Sequence, residues 1–531
     1  MRLFEVLVFL NLAIFVLTVF LPAGRKKHWF HLLPGVALVL ILVHVLVEGV
    51  RWQMMPAYVF ALAAFAATMR NIKRAGKTRE RSGAGDVNWL RVTKGAIAAL
   101  VLAVIALPPL LLPVFTLPAP SGPFPVGTRF DYFAAADRPA SLLSDHIKPG
   151  DISVQIWYPA ESALREKPMR YWQNAAGQSR IIAKFWDGLP PFIFSHFSLV
   201  KTHSIPEAPL AEKVLVFPVL IFNHGSIGLP SLHTALMEDL ASHGYIVFSI
   251  GHADYIPFFI LPDGRLHAFD PGSEEIRFKM RENEDLEVRK IFSRLTRSRE
   301  PGEQKALFGQ FLGKNPRNQE SLRRWAGEIS LAVDHLERMN SGGGPFSGRM
   351  NLNQLGVFGV SFGGAAAVQA CIGDSRLKAA VNIDCPQFGD VLERGLHQPV
   401  MFIDSEQYGH KNDLFLERLE AWTCNILVHG TVHQNFSDMG FWGALFKMQM
   451  LGEIDATRCQ QIQNSYLRAF FDRFLRGKDR RLVVGPCRDF PEVEIVFGAG
   501  NRAQDKKEKG KAWGHWGQVS ILDSQDIFDS R

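Results

Sequence analysis

Cysteine is scarce in this sequence, with 5 in 531 residues, and no Cys-x-x-Cys pair or His/Cys spacing suited to zinc occurs. That excludes a disulfide scaffold and gives no sign of a structural metal. Charge is thin as well: 21% of the residues are Asp, Glu, Lys or Arg, where about a quarter is usual in soluble chains. No internal repeat is present. The 47% hydrophobic content excludes a disordered or collagen-like chain. The length leaves room for about two to four domain-sized units.

The apolar excess is local. Leu3–Leu21, Phe30–Val47, Met54–Met69 and Gly95–Phe115 are long apolar runs, and about 20 apolar residues suffice to cross a bilayer. The third run is short, but Arg51 and Trp52 at its start suit a lipid–water interface. Buried core helices are the alternative; four such runs in succession, with nothing amphipathic between them, read as membrane spans. A cleaved signal peptide does not fit, because no convincing cleavage site follows the first run and three more runs come after it.

The basic residues support the same reading. Before residue 119 there are 13 Lys and Arg against 4 Asp and Glu; the remainder carries 46 basic and 48 acidic residues. The net charge of +7 therefore belongs to the loops between spans, and no nucleic-acid partner is expected. Arg25, Lys26 and Lys27 follow the first run; Arg70, Lys73, Arg74, Lys77, Arg79, Arg81, Arg91 and Lys94 lie between the third and fourth. Basic loops stay cytoplasmic. Four spans put both loops on that side and carry the C-terminal portion to the other. A multi-pass membrane protein with an extracytoplasmic catalytic domain is expected, its oligomeric state open.

Pro108, Pro109, Pro113, Pro118, Pro120, Pro123 and Pro125 crowd the exit of the last run. The expected organisation is a four-span module over 1–117, a stiff proline-rich linker over 118–126, a catalytic domain over 127–497 and a polar tail over 498–531. Within the third part, apolar β-branched runs read as strands: Ile152–Tyr158, Val216–Asn223, Tyr245–Gly251, Leu355–Val360, Ala379–Asp384, Val400–Asp404 and Ile426–His429. Continuously apolar strands are buried on both faces. Between them Gln319–Met339 is amphipathic, with Leu322, Trp325, Ile329, Val333 and Leu336 on one face. Strand–helix alternation of this kind predicts an α/β fold with a mostly parallel sheet.

The chemistry concentrates at Gly359-Val360-Ser361-Phe362-Gly363-Gly364, between an apolar strand and an alanine-rich helix. This is a nucleophile elbow: a sharp strand-to-helix turn lifts the Ser361 hydroxyl clear of the sheet, and Gly359, Gly363 and Gly364 let neighbouring backbone pass. A serine nucleophile needs a base, and the base an orienting acid, which in this fold follow as acid and then histidine. Asp384 and Asp404 each stand at a strand tip, and the loop after the last strand offers His429 and His433. Spacing leaves both choices open, leaning to Asp384 and His433. The oxyanion donors expected are the backbone N–H groups of Phe362 and of Ser226, in Asn223-His224-Gly225-Ser226. His224 reads as a loop-shaping side chain rather than a base or ligand.

The segments FNHGSIG, DLASHGYIVFSIGHAD, GVFGVSFGGAAAVQ, AAVNIDCPQFGD, QPVMFIDSEQ and GTVHQNFSDMGFW, with DISVQIWYPAE upstream, resemble successive blocks of the plasma and type II intracellular platelet-activating factor acetylhydrolases. The resemblance covers about residues 120–480. It implies an α/β-hydrolase fold and a calcium-independent, cofactor-free ester hydrolase acting on phospholipids with short or oxidised sn-2 acyl chains. It assigns the nucleophile to Ser361, the acid to Asp384 and the base to His433. Val360, Asn223 and Cys385-Pro386 depart from the family's usual residues beside the site, and the four-span module has no counterpart in those animal enzymes.

A lipid or small ester substrate is also suggested by aromatic stretches around Phe185-Trp186, Pro190–Phe197, Tyr255–Phe259 and Phe441-Trp442. The other reading of each is plain core. Two further functions fit the same residues: an envelope acyltransferase passing the acyl group to an alcohol, and a non-enzymatic membrane scaffold with a relic hydrolase domain. Against the scaffold, every triad and oxyanion position is filled, and only His44 is ionisable in mid-span.

Overall fold

The computed structural model describes residues 1–21, 28–75, 89–134, 150–161, 166–186, 188–226, 228–253, 255–270, 272–273, 286–298, 300–409, 411–478 and 481–501. Arg25, Lys26, Lys27, Lys77, Arg79 and Arg81, on which the orientation partly rests, lie outside them, as does the tail beyond 501.

Four N-terminal helices, α1 (Leu3–Phe20), α2 (Leu33–Val47), α3 (Met55–Ala75) and α4 (Trp89–Leu111), are long and apolar enough to cross a membrane. Two differ from the expected runs. α3 continues to Ala75 and α4 begins at Trp89, because Arg and Lys are good helix formers that a hydropathy reading discards. α4 also stops at Leu111, short of Phe115.

An ion knot ties the ends of these helices together. The Arg51 guanidinium meets both oxygens of Glu5 at 2.7 Å, and both side chains are sealed from solvent. Arg51 also donates to the carbonyls of Leu112 at 2.8 Å and Pro109 at 3.3 Å, capping the end of α4 where orphan carbonyls need donors. Arg2 binds Glu5 at 2.8 Å, and His44 Nδ1 lies 2.8 Å from Glu48.

The chain beyond α4 does not hang free. Leu112, Phe115 and Leu117 are buried in an aromatic core with Tyr171, Trp172, Phe194, Phe197 and Trp442. From the helical side, Trp52 donates its indole N–H to the Ile193 carbonyl at 3.2 Å, and its ring meets Phe192 edge-on at 5.2 Å.

The remaining chain forms a ten-stranded sheet, with strands β1 (Val126–Phe133), β2 (Ile152–Pro159), β3 (Ser204–Pro206), β4 (Phe217–Asn223), β5 (Ile246–His252), β8 (Met350–Val360), β9 (Ala379–Ile383), β10 (Val400–Ser405), β11 (Thr423–Val428) and β12 (Val493–Phe497). β6 (Phe258–Ile260) and β7 (Leu266–Ala268) pair separately. The order is β12-β11-β10-β9-β8-β4-β5-β2-β1-β3. From β5 through β4, β8, β9 and β10 to β11 every pairing is parallel; β2 on one side and β12 on the other join antiparallel. All seven expected strands are present. Every residue of β4 is buried, as is every residue of β5, which fits strands covered on both faces. The amphipathic helix runs over Pro316–Ser341, and Leu322, Trp325, Ile329, Val333 and Leu336 are buried against the sheet.

Candidate active site

β8 delivers its last residue, Val360, to the C-terminal edge of the sheet, and the helix Phe362–Gly373 starts at once. Ser361 at the junction has φ +55°, a left-handed conformation that costs energy for a residue with a Cβ. Its amide is pinned to the Ile383 carbonyl at 2.7 Å. The turn is as tight as the glycines imply: a Cβ on Gly363 would fall on the carbonyl oxygens of Asn223 and His224, and one on Gly359 would fall on Gly363 backbone.

Asp384 repeats the arrangement one strand along. It follows β9 directly, has φ +57°, and donates its amide to the Ile403 carbonyl at 2.7 Å. Its carboxylate is buried and accepts from the Ser405 amide at 2.8 Å, the Ser405 hydroxyl at 2.9 Å, Lys411 Nζ at 2.8 Å and His433 Nδ1 at 2.6 Å. Burial alone would raise the carboxyl, but the Lys411 charge and the bonds from His433 and Lys411 hold it well below the usual carboxylate range.

His433 opens a 3₁₀ turn, His433–Phe436, after β11. Asn435 fixes that turn by accepting from the amides of Val432 and Gly452, each at 2.8 Å. The rival groups have other partners, although His429 also lines the cavity that holds Ser361. Asp404 lies against Lys411 Nζ at 2.8 Å and against the amides of Asn425 and Asn412. His429 is half-exposed, with Nδ1 3.1 Å from Glu406.

Ser361, Asp384, His433, Ser226 and Phe362 all line one cavity of about 1200 Å³. Arg289 and Arg297, on the helix Leu286–Arg297, stand on its wall, as do Glu406 and Glu494. Cys385 and Pro386 also line it. The arrangement suits acyl transfer: a hydroxyl on a strained turn, an imidazole fixed at Nδ1 by an ionised carboxylate, and loop backbone nearby. His224 is fully buried, with Nδ1 2.6 Å from the Gly225 carbonyl and Nε2 accepting from the His252 amide at 3.1 Å. Burial pushes its imidazole down to about 3, so it stays neutral and shapes the loop.

The aromatic stretches divide from this cavity. Phe194, Phe197, Tyr255, Phe258, Phe259 and Trp442 are buried core, and none of them lines it. They give no evidence of a lipid-binding wall. Composition had no way to see Lys411, a fully buried cation, because isolated lysines are ordinarily surface residues. The helix carrying Arg289 and Arg297 was not anticipated; the signal that marks it is the amphipathic basic segment LEVRKIFSRLTR.

Among the described residues, Glu5, His44 and Glu48 offer ligand atoms within 4.8 Å of one another. Both Glu5 oxygens are already held by Arg51, so a divalent cation there would have to displace a guanidinium. This donor set suits an ion pair better than a metal.

Known proteins resemble the chain from α4's exit onward. The family described as “Platelet-activating factor acetylhydrolase, isoform II” matches residues 112–480. The platelet-activating factor acetylhydrolase of Bos taurus is 25% identical over 308 residues, covering 51% of this chain and 62% of that protein. The match therefore spans less than two-thirds of the bovine protein's length. That of Cavia porcellus is 26% identical over 378 residues, covering 68% and 78%. A probable 1-alkyl-2-acetylglycerophosphocholine esterase of Arthroderma benhamiae is 29% identical over 167 residues, covering 27% and 43%. Among solved structures, a ferulic acid esterase from Streptomyces cinnamoneus superposes with a TM-score of 0.54 at 23% identity, covering 72% of this chain and 100% of that one. The fold is an α/β-hydrolase fold.

Proposed function

Because the chain belongs to the platelet-activating factor acetylhydrolase family by its match over residues 112–480, we propose that it is a serine carboxylic ester hydrolase acting on phospholipids with short sn-2 acyl chains. Ser361 attacks the ester carbonyl while His433 takes its proton. Asp384 steadies the imidazolium through Nδ1. The backbone N–H groups of Ser226 and Phe362 receive the developing oxyanion, where one lost donor typically costs about 3 kcal/mol. His433 then protonates the leaving alcohol, and a water deprotonated by His433 releases the acyl group from Ser361. Arg289 and Arg297 on the cavity wall offer a place for the substrate's phosphate. No residue in this reaction calls for calcium, so chelation by EDTA leaves turnover unchanged.

The observation that carries the reading is the pairing of Ser361 at φ +55° with an imidazole held 2.6 Å from Asp384 on the same cavity. The four apolar helices anchor the enzyme in a membrane in this reading, with the basic loops cytoplasmic and the cavity on the opposite side. A tethered site meets bilayer esters at high effective concentration.

The test uses the full chain in detergent micelles, with p-nitrophenyl acetate, butyrate and palmitate and an sn-2 acetyl phospholipid. Turnover that falls with acyl length and vanishes in Ser361→Ala is expected. A folded wild type no faster than Ser361→Ala on every ester overturns the proposal. Protease protection of the region after residue 118 in sealed vesicles tests the orientation.

A further inference from the structure

Lys411 is a strange neighbour for an acid that must stabilise a cation. Its ammonium lies 2.8 Å from Asp384 Oδ1, and both side chains are wholly buried. A single lysine so close would cancel the carboxylate and leave nothing to favour a positive charge on His433. The same ammonium, however, lies 2.8 Å from Asp404 Oδ1, also wholly buried. Asp404 stands on β10, directly beside β9 in parallel register, with Ile383 paired to Ile403. The two aspartates are thus bridged by one cation.

We propose that Asp384, Lys411 and Asp404 act as one unit of net charge −1 facing His433, with Lys411 and Asp404 as positioning residues and Asp404 the counter-ion that restores the charge Lys411 removes. The proposal rests on the reading of Ser361, His433 and Asp384 as the reacting groups. It gives Asp404 a task other than that of a second acid.

The surroundings fit a fixed charge unit. Asn425 and Asn412 donate side-chain N–H groups to Asp404 at 3.0 and 3.2 Å, and the Ser405 amide and hydroxyl serve Asp384. The Tyr408 ring centre is 5.6 Å from Lys411 Nζ and 5.8 Å from the His433 ring. Cys385 follows Asp384. Cys459, from the helix Ala456–Arg476, is buried with Sγ 3.5 Å from the Asn435 carbonyl, and burial raises its thiol to about 12. His233, on the far side of the His433 turn, has Nδ1 3.1 Å from the Phe436 carbonyl, and burial lowers it to about 3. Both therefore stay neutral around pH 7, so on its buried side His433 faces the charge of the three-membered unit; Glu406, His429, Glu494, Arg289 and Arg297 share the cavity wall with it and are the same in every variant. Burial pushes Asp404 up to about 6 against the pull of Lys411, with Asp384 adding to the rise; above that pH all three members are ionised.

The experiment compares full-length wild type, Asp404→Asn, Lys411→Met and the double variant K411M/D404N. Two readouts are followed against pH: kcat/KM on p-nitrophenyl acetate, and carbethoxylation of His433 by diethyl pyrocarbonate, read by peptide mass spectrometry. Asp404→Asn leaves the unit neutral, so kcat/KM is expected to fall on the order of 10–100-fold, with the acid limb and the carbethoxylation midpoint both moving to lower pH. Lys411→Met costs less, because the two carboxylates can share one proton and regain −1. The double variant restores the charge with apolar-compatible groups, and it is expected to recover most of the lost rate and return both midpoints.

A double variant no better than Asp404→Asn, or midpoints that stay put while activity and thermal stability fall together, would make Lys411 and Asp404 a structural brace and overturn the proposal. If wild type shows no Ser361-dependent turnover yet the His433 midpoint shifts and returns as stated, the ester-hydrolase reading fails and the charge unit stands.

Discussion

Trp52, at the start of the third apolar helix, donates its indole N–H to the carbonyl of Ile193 at 3.2 Å. The helical part and the hydrolase part are therefore in direct contact, and the first residues of the segment joining them, Leu112, Phe115 and Leu117, are core.

A cut at the proline-rich stretch is consequently a poor one. A fragment over 119–531 loses Leu112, Phe115 and Leu117, all buried, each worth about 1.5–3 kcal/mol when fully buried. It is expected to unfold at markedly lower temperature than a fragment over 112–531, or to precipitate. Equal melting midpoints for the two fragments would remove the argument.

Substitutions separate the rival groups of the proposed site. Asp384→Asn is expected to lower kcat on the order of 10⁴-fold, by loss of imidazolium stabilisation and of the correct tautomer. His433→Ala is expected to be as severe. His429→Ala should leave turnover within a few-fold, since its Nδ1 is 3.1 Å from Glu406. A severe loss in His429→Ala would reassign the base.

Stability should carry the signature of Asp404. Burial raises its carboxyl to about 6, whereas an unfolded aspartate titrates near about 3.9. The folded chain then holds this proton more tightly than the unfolded chain. The stabilisation is complete below about pH 4 and is lost as pH rises through about 6, a change on the order of 2–3 kcal/mol. Asp384, held low, works in the opposite sense: its stabilisation is present above about pH 4 and lost at lower pH. Denaturant midpoints followed from pH 4 to 7 are expected to fall less steeply in Asp404→Asn than in wild type; parallel curves would count against it.

The basic wall of the cavity gives a substrate-dependent prediction. Arg289→Glu with Arg297→Glu is expected to raise KM several-fold for a phospholipid and to leave p-nitrophenyl acetate nearly unaffected, as loss of uniform binding to a phosphate would. An equal loss on both substrates would point to disturbed packing of the helix Leu286–Arg297.

The central strands were legible because burial on both faces writes an unbroken apolar run, as in Phe217–Asn223. β12 was not, since Val493–Phe497 alternates between partly buried and exposed positions on the sheet edge, and β1 is interrupted by Gly127, Arg129 and Asp131. Helix ends at Ala75 and Trp89 escaped a reading based on hydropathy. At the site, Ser361 was marked by its glycines. Asp384 and Asp404 could not be separated by spacing because adjacent parallel strands end at the same level. What distinguishes their surroundings is the imidazole of His433, 2.6 Å from Asp384, and its position depends on the turn after β11. The aromatic stretches show the same limit, since phenylalanine content is blind to whether a ring faces a cavity or a neighbour.

Ser361 and Asp384 each hang from the next strand's carbonyl, at Ile383 and Ile403. The two groups are successive rungs of a ladder, so their spacing is a property of strand registration. Because side chains alternate faces along a strand, one residue inserted into β9 would turn Asp384 away from the cavity and unhook Ser361 at the same stroke. Conservative exchanges among Ala379–Ile383 leave the ladder intact. For the chemistry, the sheet tolerates changes of spelling far better than changes of count.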